Sequence, residues 1–314
     1  MSSTTARLAG AAALAVAAAA GTAEAAQKIV DSFAGPTIQY SGSPSLQNVT
    51  FNTAEAITGI GIEGNFTAIS GDLGGGSYPW SLDLTVDVTA PGGESFTWGP
   101  NITGDFTIAD FPVLDASGPG LSGNAGPGNY QFALSDDFGG FNSLAAIENP
   151  TYYATTTVPD VTFDYTANPD PNTSWDRPFF IGGVSGLGPT SYDAFDFVVT
   201  EPGRYDFSSV LSNGDDHFTF LYRGAFDPDA PLDNLVDYGL GNGNSPFGVP
   251  RGTSAFSALL FPGETYFWVT SQWSAFDDIV PSANNITGPG SIIPAPATAL
   301  LAPLGIAAVA RRKR

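Results

Sequence analysis

Apolar and polar residues alternate with a period of two along much of the chain. The clearest stretch is Leu82-Asp83-Leu84-Thr85-Val86-Asp87-Val88-Thr89, where the aliphatic side chains fall on one face of an extended strand and Asp and Thr on the other. The turn sequence Pro91-Gly92-Gly93 follows at once, as expected where a hairpin reverses. Tyr130, Phe132 and Leu134 repeat the pattern, as do Val161, Phe163 and Tyr165, and then Phe218, Phe220 and Tyr222. Each set predicts a half-buried strand presenting one apolar face to a core. Glu201-Pro202-Gly203-Arg204-Tyr205 and Phe261-Pro262-Gly263-Glu264-Thr265-Tyr266 share a second device. In each, proline presets φ for a turn, glycine is expected to supply positive φ, and an aromatic strand follows.

The two ends break this rhythm. Arg7 precedes an alanine-rich apolar run from Leu8 to Ala20, which leads into Ala23-Glu24-Ala25. That is the layout of a secretory signal helix, and cleavage is expected after Ala25. At the other end Pro294-Ala295-Pro296 leads into an apolar segment, Ala297 to Ala310, and the chain closes on Arg311, Arg312, Lys313 and Arg314. Cations after an apolar stretch resist translocation and would halt the segment in the inner membrane. The stretch is shorter than the ~20 residues of a permanent span, so a transient, processed insertion is expected, with an ordinary tail anchor as the alternative.

Glycine (38), proline (25) and aromatics at 12% of the chain favour many short strands joined by tight turns. The fold class expected is therefore all-β: two consecutive antiparallel β-sandwich, jelly-roll-like domains, flanked by an N-terminal signal helix and a C-terminal hydrophobic sorting helix. The division is 1–25 signal, 26–150 first sandwich, 151–158 linker, 159–290 second sandwich and 291–314 sorting tail; Pro150, Pro159 and the threonines between them mark the linker. There is no cysteine, so an exported chain of this size must be held by packing rather than disulfides. Between the end segments five cations (Lys28, Arg177, Arg204, Arg223, Arg251) face 30 carboxylates, a net of −25. Such a field repels phosphate backbones and anionic lipid, which excludes nucleic acid as a partner.

The order Pro294-Ala295-Pro296, apolar segment, Arg311 to Arg314 resembles the PEP-CTERM sorting signal of Gram-negative bacteria. The resemblance implies an exosortase-like membrane enzyme as processing partner and delivery to the cell surface or extracellular matrix; the motif's central glutamate is replaced here by Ala295. From about Thr162 to Gly290 the chain resembles the bacterial pre-peptidase C-terminal domain, a β-sandwich appended to secreted proteins. The residues that carry the likeness are Glu201 to Tyr205, Asp215 to Tyr222, Phe226 to Leu235 and Phe261 to Tyr266. Trp80 to Gly93 with Gly128 to Phe132 is similar, in architecture only, to the jelly-roll domain that follows the catalytic domain of subtilisin-like convertases.

Catalytic chemistry finds little support. His217 is the single histidine, it is expected on the surface beside Asp215 and Asp216, and no Gly-x-Ser-x-Gly elbow accompanies it. One histidine without thiols cannot build a zinc site of the usual kind. Gly59-Ile60-Gly61-Ile62-Glu63-Gly64 matches a dinucleotide fingerprint as a string, but strand-like alternation continues after it where a helix is required. No catalytic residue and no organic cofactor is expected. Asp215, Asp216, Asp227, Asp229 and Asp233 sit in turn-rich loops and read either as calcium ligands or as turn aspartates bonding their own backbone. Calcium is thus the candidate cofactor. The leading functional expectation is a non-enzymatic surface or matrix protein acting in adhesion. The alternative is a carbohydrate- or ligand-binding module, with Trp175, Trp268 and Trp273 as stacking platforms and an extracellular polysaccharide as partner.

Overall fold

The computed structural model describes residues 25–70, 84–98, 111–115, 126–136, 144–179, 183–240 and 250–295. The expected signal helix, Leu82-Asp83 and the tail from Pro296 onward lie outside them. Every extended regular element among the described residues is a β-strand. The first half contributes β1 (Ala26–Ala34), β2 (Ile38–Tyr40), β3 (Ser45–Phe51), β4 (Gly59–Ser70), β5 (Leu84–Thr89), β6 (Ser95–Trp98), β7 (Phe111–Asp115), β8 (Gly128–Asp136) and β9 (Leu144–Val158). The second contributes β10 (Val161–Ala167), β11 (Asp170–Trp175), β12 (Thr190–Val199), β13 (Gly203–Leu211), β14 (His217–Arg223), β15 (Leu235–Leu240), β16 (Thr253–Leu260), β17 (Tyr266–Gln272), β18 (Ser282–Gly288) and β19 (Ile292–Pro294).

In the first half β7, β4, β9 and β1 lie side by side, with β2 on β9, and face a sheet ordered β3-β8-β5-β6. Alternation decides what lies between them. Leu84, Val86 and Val88 on β5 and Tyr130, Phe132 and Leu134 on β8 are all buried, and they meet Ile60, Ile62 and Phe66 of β4. Phe132 packs on Tyr152 of β9 with ring centroids 4.7 Å apart. Each large apolar side chain removed from water contributes about 1.5–3 kcal/mol before chain entropy is set against it.

Residues 151–158 do not connect two bodies; they are the second half of β9. They pair with β1 from Ala34↔Thr151 to Ala26↔Val158, while β4 lies along the other edge of β9. The threonines that suggested a loop are β-branched residues suited to a central strand. Pro150 is tolerated because it stands where the ladder breaks, accepting through its carbonyl from the Gly35 N–H at 2.7 Å, so its missing N–H forfeits no pairing. The passage between the halves is Pro159-Asp160, between β9 and β10.

In the second half β10, β18, β13 and β16 face a sheet ordered β11-β12-β17-β14-β15, with β19 also on β12. Phe197, Leu221 and Trp268 from the latter pack against Tyr205, Phe207, Leu260 and Ile286. The sequence pattern misassigns β14: Phe218, Phe220 and Tyr222 face away from this core and form a separate apolar layer with Trp175 and Val269, covered by Tyr192, Phe226 and Trp273. Both faces of β14 are buried because it is a central strand with side chains stacked on each side.

The halves meet in one continuous sheet. Lys28 of β1 pairs with Gly203 of β13, and the Ile29 N–H donates to the Pro202 carbonyl at 2.8 Å. Ile29, Tyr153 and Leu259 form a small buried cluster at this seam, with Phe261 packed against it. Lys28 adds an ion pair to Glu201 at 3.1 Å.

Candidate functional site

The structure places the five aspartates at opposite ends of β14. Asp215 and Asp216 lie in the turn before it, Asp227, Asp229 and Asp233 in the loop after it, and seven strand residues separate the two by roughly 20 Å. Arg251 occupies the first group, with Nε 2.7 Å from Asp216 and Nη2 3.6 Å from Asp215. The Asp215 carboxylate also accepts from Asn213 Nδ2 at 2.7 Å. In the second group Asp227 accepts the Asp229 N–H at 3.0 Å, closing its own turn, and the Asp233 N–H donates to the Ala230 carbonyl at 3.0 Å. Among the described residues no three acidic or histidine side chains converge in a way that could hold a metal ion.

Trp175, Trp268 and Trp273 do not form an exposed row. Trp268 is enclosed in the second core and Trp175 in the outer layer. Trp273 stacks on Phe218 at 5.0 Å. Beside this pair lies Arg177, itself fully buried, with its guanidinium carbon 4.1 Å from the Phe218 ring centre and 5.1 Å from that of Trp273. Arg177 donates through Nε to the Trp273 carbonyl at 2.9 Å and through Nη1 to the Pro178 carbonyl at 2.9 Å. Burial lowers its pKa to about 10, so the charge persists at neutral pH. Among the described residues the strongly exposed aromatic is instead Phe276, at 93%.

His217, expected on the surface, is fully buried. As the first residue of β14 it points between the sheets, where Nε2 lies 3.1 Å from Ser209 Oγ. Ser209 donates to Asn284 Oδ1 at 2.6 Å, and Asn284 Nδ2 donates to Tyr165 Oη and Thr270 Oγ1. Burial lowers the imidazole pKa to about 3. A serine and histidine in contact are thus present, but both side chains are sealed from solvent and Nδ1 has no partner to orient it, which is core structure rather than a nucleophile with its base.

One polar cleft opens across the seam, with a volume of about 320 Å³, lined by Glu63, Gly64 and Asn65 of β4, Glu148, Asn149 and Thr151 of β9, and Arg223 of β14. Its walls follow from an irregularity in pairing. Glu63 is opposite Thr151 and Asn65 opposite Glu148, so the register slips between them, and Asn149 takes up the slack with φ of 48°. Arg223 Nη2 reaches Glu63 at 3.2 Å, and the Tyr153 hydroxyl donates to the other Glu63 oxygen. Burial, reinforced by Glu63, pushes the Tyr153 phenol far above its ordinary range, so it stays a donor. In the sequence Glu63 and Gly64 stood out only within a dinucleotide-like string and Arg223 only as one of five cations; nothing brought them together, because the cleft joins strands whose partners are set only by the sheet.

Of the tail motif, Pro294 is exposed at the end of β19, opposite Phe197. The Ala295 N–H donates to the Asp196 carbonyl at 2.9 Å. Pro296, Arg311, Arg312, Lys313 and Arg314 lie outside the described residues.

No family profile matches the chain, and no curated sequence does. Among solved structures it is similar to the tandem CBM51 modules of a family 98 glycoside hydrolase from Streptococcus pneumoniae, at 9% identity over 86% of this chain and 88% of that one, with a TM-score of 0.24. It is similar to the isomalto-dextranase of Arthrobacter globiformis complexed with panose, at 12% identity over 82% of this chain and 36% of that one, TM-score 0.23. A protein from Eubacterium rectale aligns at 9% identity over 80% and 70%, TM-score 0.21. At these scores the likenesses carry no functional weight.

Proposed function

We propose that this is an exported, non-catalytic protein of the cell surface or extracellular matrix, acting in adhesion or matrix structure and sorted by a PEP-CTERM-like tail that an exosortase-like enzyme processes. The observation that carries this is where the strands start and stop. β1 begins at Ala26, one residue beyond the expected signal cut, and β19 ends at Pro294, inside the Pro-Ala-Pro motif. Ala26 pairs with Val158 at the start of β1 within the nine-stranded sheet, so the folded body starts where the expected cut falls. At the other end Pro294 is exposed, which leaves the motif open to a membrane enzyme. The sequestered His217 and the pairing of Asp215 and Asp216 with Arg251 support a body that binds rather than turns over.

The test is the intact mass of the protein recovered from its producing cells, combined with fractionation. The expected product starts at Ala26, lacks the arginine cluster and is found outside the inner membrane. Recovery of the uncut chain in the cytoplasm would overturn the proposal.

A further inference from the structure

We infer that the cleft at the seam of the two halves binds a neutral saccharide. This deepens the surface-protein reading, on which it rests for where such a ligand is met. The lining selects by elimination. Glu63 and Glu148 oppose one cation, Arg223, which is already tied to Glu63 at 3.2 Å, so an anionic ligand meets net repulsion. A bare divalent ion needs six or more oxygens for calcium, or near-octahedral geometry for magnesium; here the guanidinium holds one of the two carboxylates. An apolar ligand finds little to bury against, since the lining side chains Asn65, Glu148, Asn149 and Thr151 are polar and would lose part of their hydration to it.

What remains is a ligand that both donates and accepts at closely spaced points. The amides of Asn65 and Asn149 can do either, the hydroxyl of Thr151, already bonded to the Tyr153 phenol, can still accept, and the carboxylate of Glu148 accepts. Glu148 is only weakly engaged within the protein, by the Thr67 hydroxyl at 3.5 Å, and Asn65 and Asn149 are exposed. Vicinal sugar hydroxyls match this set, because one carboxylate can accept from two neighbouring O–H groups. The volume of about 320 Å³ is at the small end of the ~300–1,000 Å³ typical of small-molecule sites, which suits a monosaccharide or the end of a glycan chain. The site is also held firmly. Arg223 and the Tyr153 hydroxyl fix Glu63 from both sides, and three strands from both halves supply the walls, so little ordering is left for the ligand to impose.

The full chain is screened on an array of neutral oligosaccharides, and the strongest binder, or soluble α-glucan, β-glucan, mannan and galactan if the array signal is weak, is then titrated by calorimetry. Saturable binding is expected, weakened about tenfold by Glu148→Gln and by Asn65→Ala, the loss of roughly one hydrogen bond to a charged or amide group. Phe276→Ala, at the far end of β14 from Arg223, is expected to bind as the parent does. All three positions are exposed or half-buried, so thermal unfolding should be unchanged and confirms that each variant is folded. Absence of binding to every probe overturns the inference, as does binding that survives both cleft substitutions or is abolished by Phe276→Ala. None of these outcomes bears on the intact-mass result, which tests export and sorting separately.

Discussion

His217 shows how a polar residue is accommodated in a core without becoming a catalyst. Its ring is neutral because burial disfavours the charged form, and the Ser209, Asn284 and Tyr165 chain supplies hydrogen bonds. The folded pKa of about 3 lies below the unfolded value of 6.5, so between these pH values the unfolded chain binds a proton that the folded one does not. Stability from this group is therefore fully present above pH 6.5 and is lost as pH falls toward 3, by about 5 kcal/mol over the whole interval. In denaturant unfolding across that range, His217→Gln is expected to be less stable than the parent at pH 7 and to show a shallower fall, the gap closing at low pH. Equal slopes for the two proteins would contradict this origin. Arg177 meets the same problem differently: it keeps its charge and satisfies it with carbonyls and two aromatic faces.

At the scale of single elements, the recurrent device is a Pro-Gly turn followed by a tyrosine that bonds back across it. Tyr130 donates to the Gly126 carbonyl at 3.0 Å and Tyr205 to the Glu201 carbonyl at 2.8 Å, while Tyr266 accepts the Phe261 N–H at 2.9 Å. Each pins the start of a core strand, as tyrosine corners do in other sandwiches. The glycines in these turns do different work. Gly263 has φ of 88°, as expected of a turn. Gly203 does not need positive φ; it is required because β1 passes so close that a Cβ would strike the Gln27 carbonyl oxygen and Pro289. Gly203→Ala is expected to destabilise by about 2–3 kcal/mol, the scale of overpacking against backbone. Hydrogen exchange should locate the damage, with the Ile29 amide losing protection before those within β13. Damage spread evenly over the second sandwich would argue against a local clash.

At the scale of the molecule, two cores are joined by a shared sheet, a small apolar cluster and the Arg223–Glu63 pair. β9 is the spine of the first half, since β1 and β2 line one edge and β4 the other. A fragment ending at residue 150 keeps the first core's apolar residues up to Ile147 but loses the partner of all of β1. Residues 26–150 are expected to be unfolded by circular dichroism, whereas 26–160 should unfold cooperatively. If 26–150 folded alone, β9 would not be the spine described here.

Sequence by itself determined the strand class and most buried faces, because alternation is a local property: Leu84, Val86 and Val88 must share a side whatever the fold. It also marked the turns, where proline and glycine act within a few residues. Partnership was beyond it. Whether threonines 155–157 lie in a linker or mid-sheet depends on strands about a hundred residues away or more, and the outward aromatic face of β14 depends on what covers it. The acidic loops were legible as loops, but Arg251 between Asp215 and Asp216 was not, and neither was the cleft built from Glu63, Glu148 and Arg223. Local chemistry fixes which way a side chain points along its strand, and only the pairing of distant strands decides what it meets there.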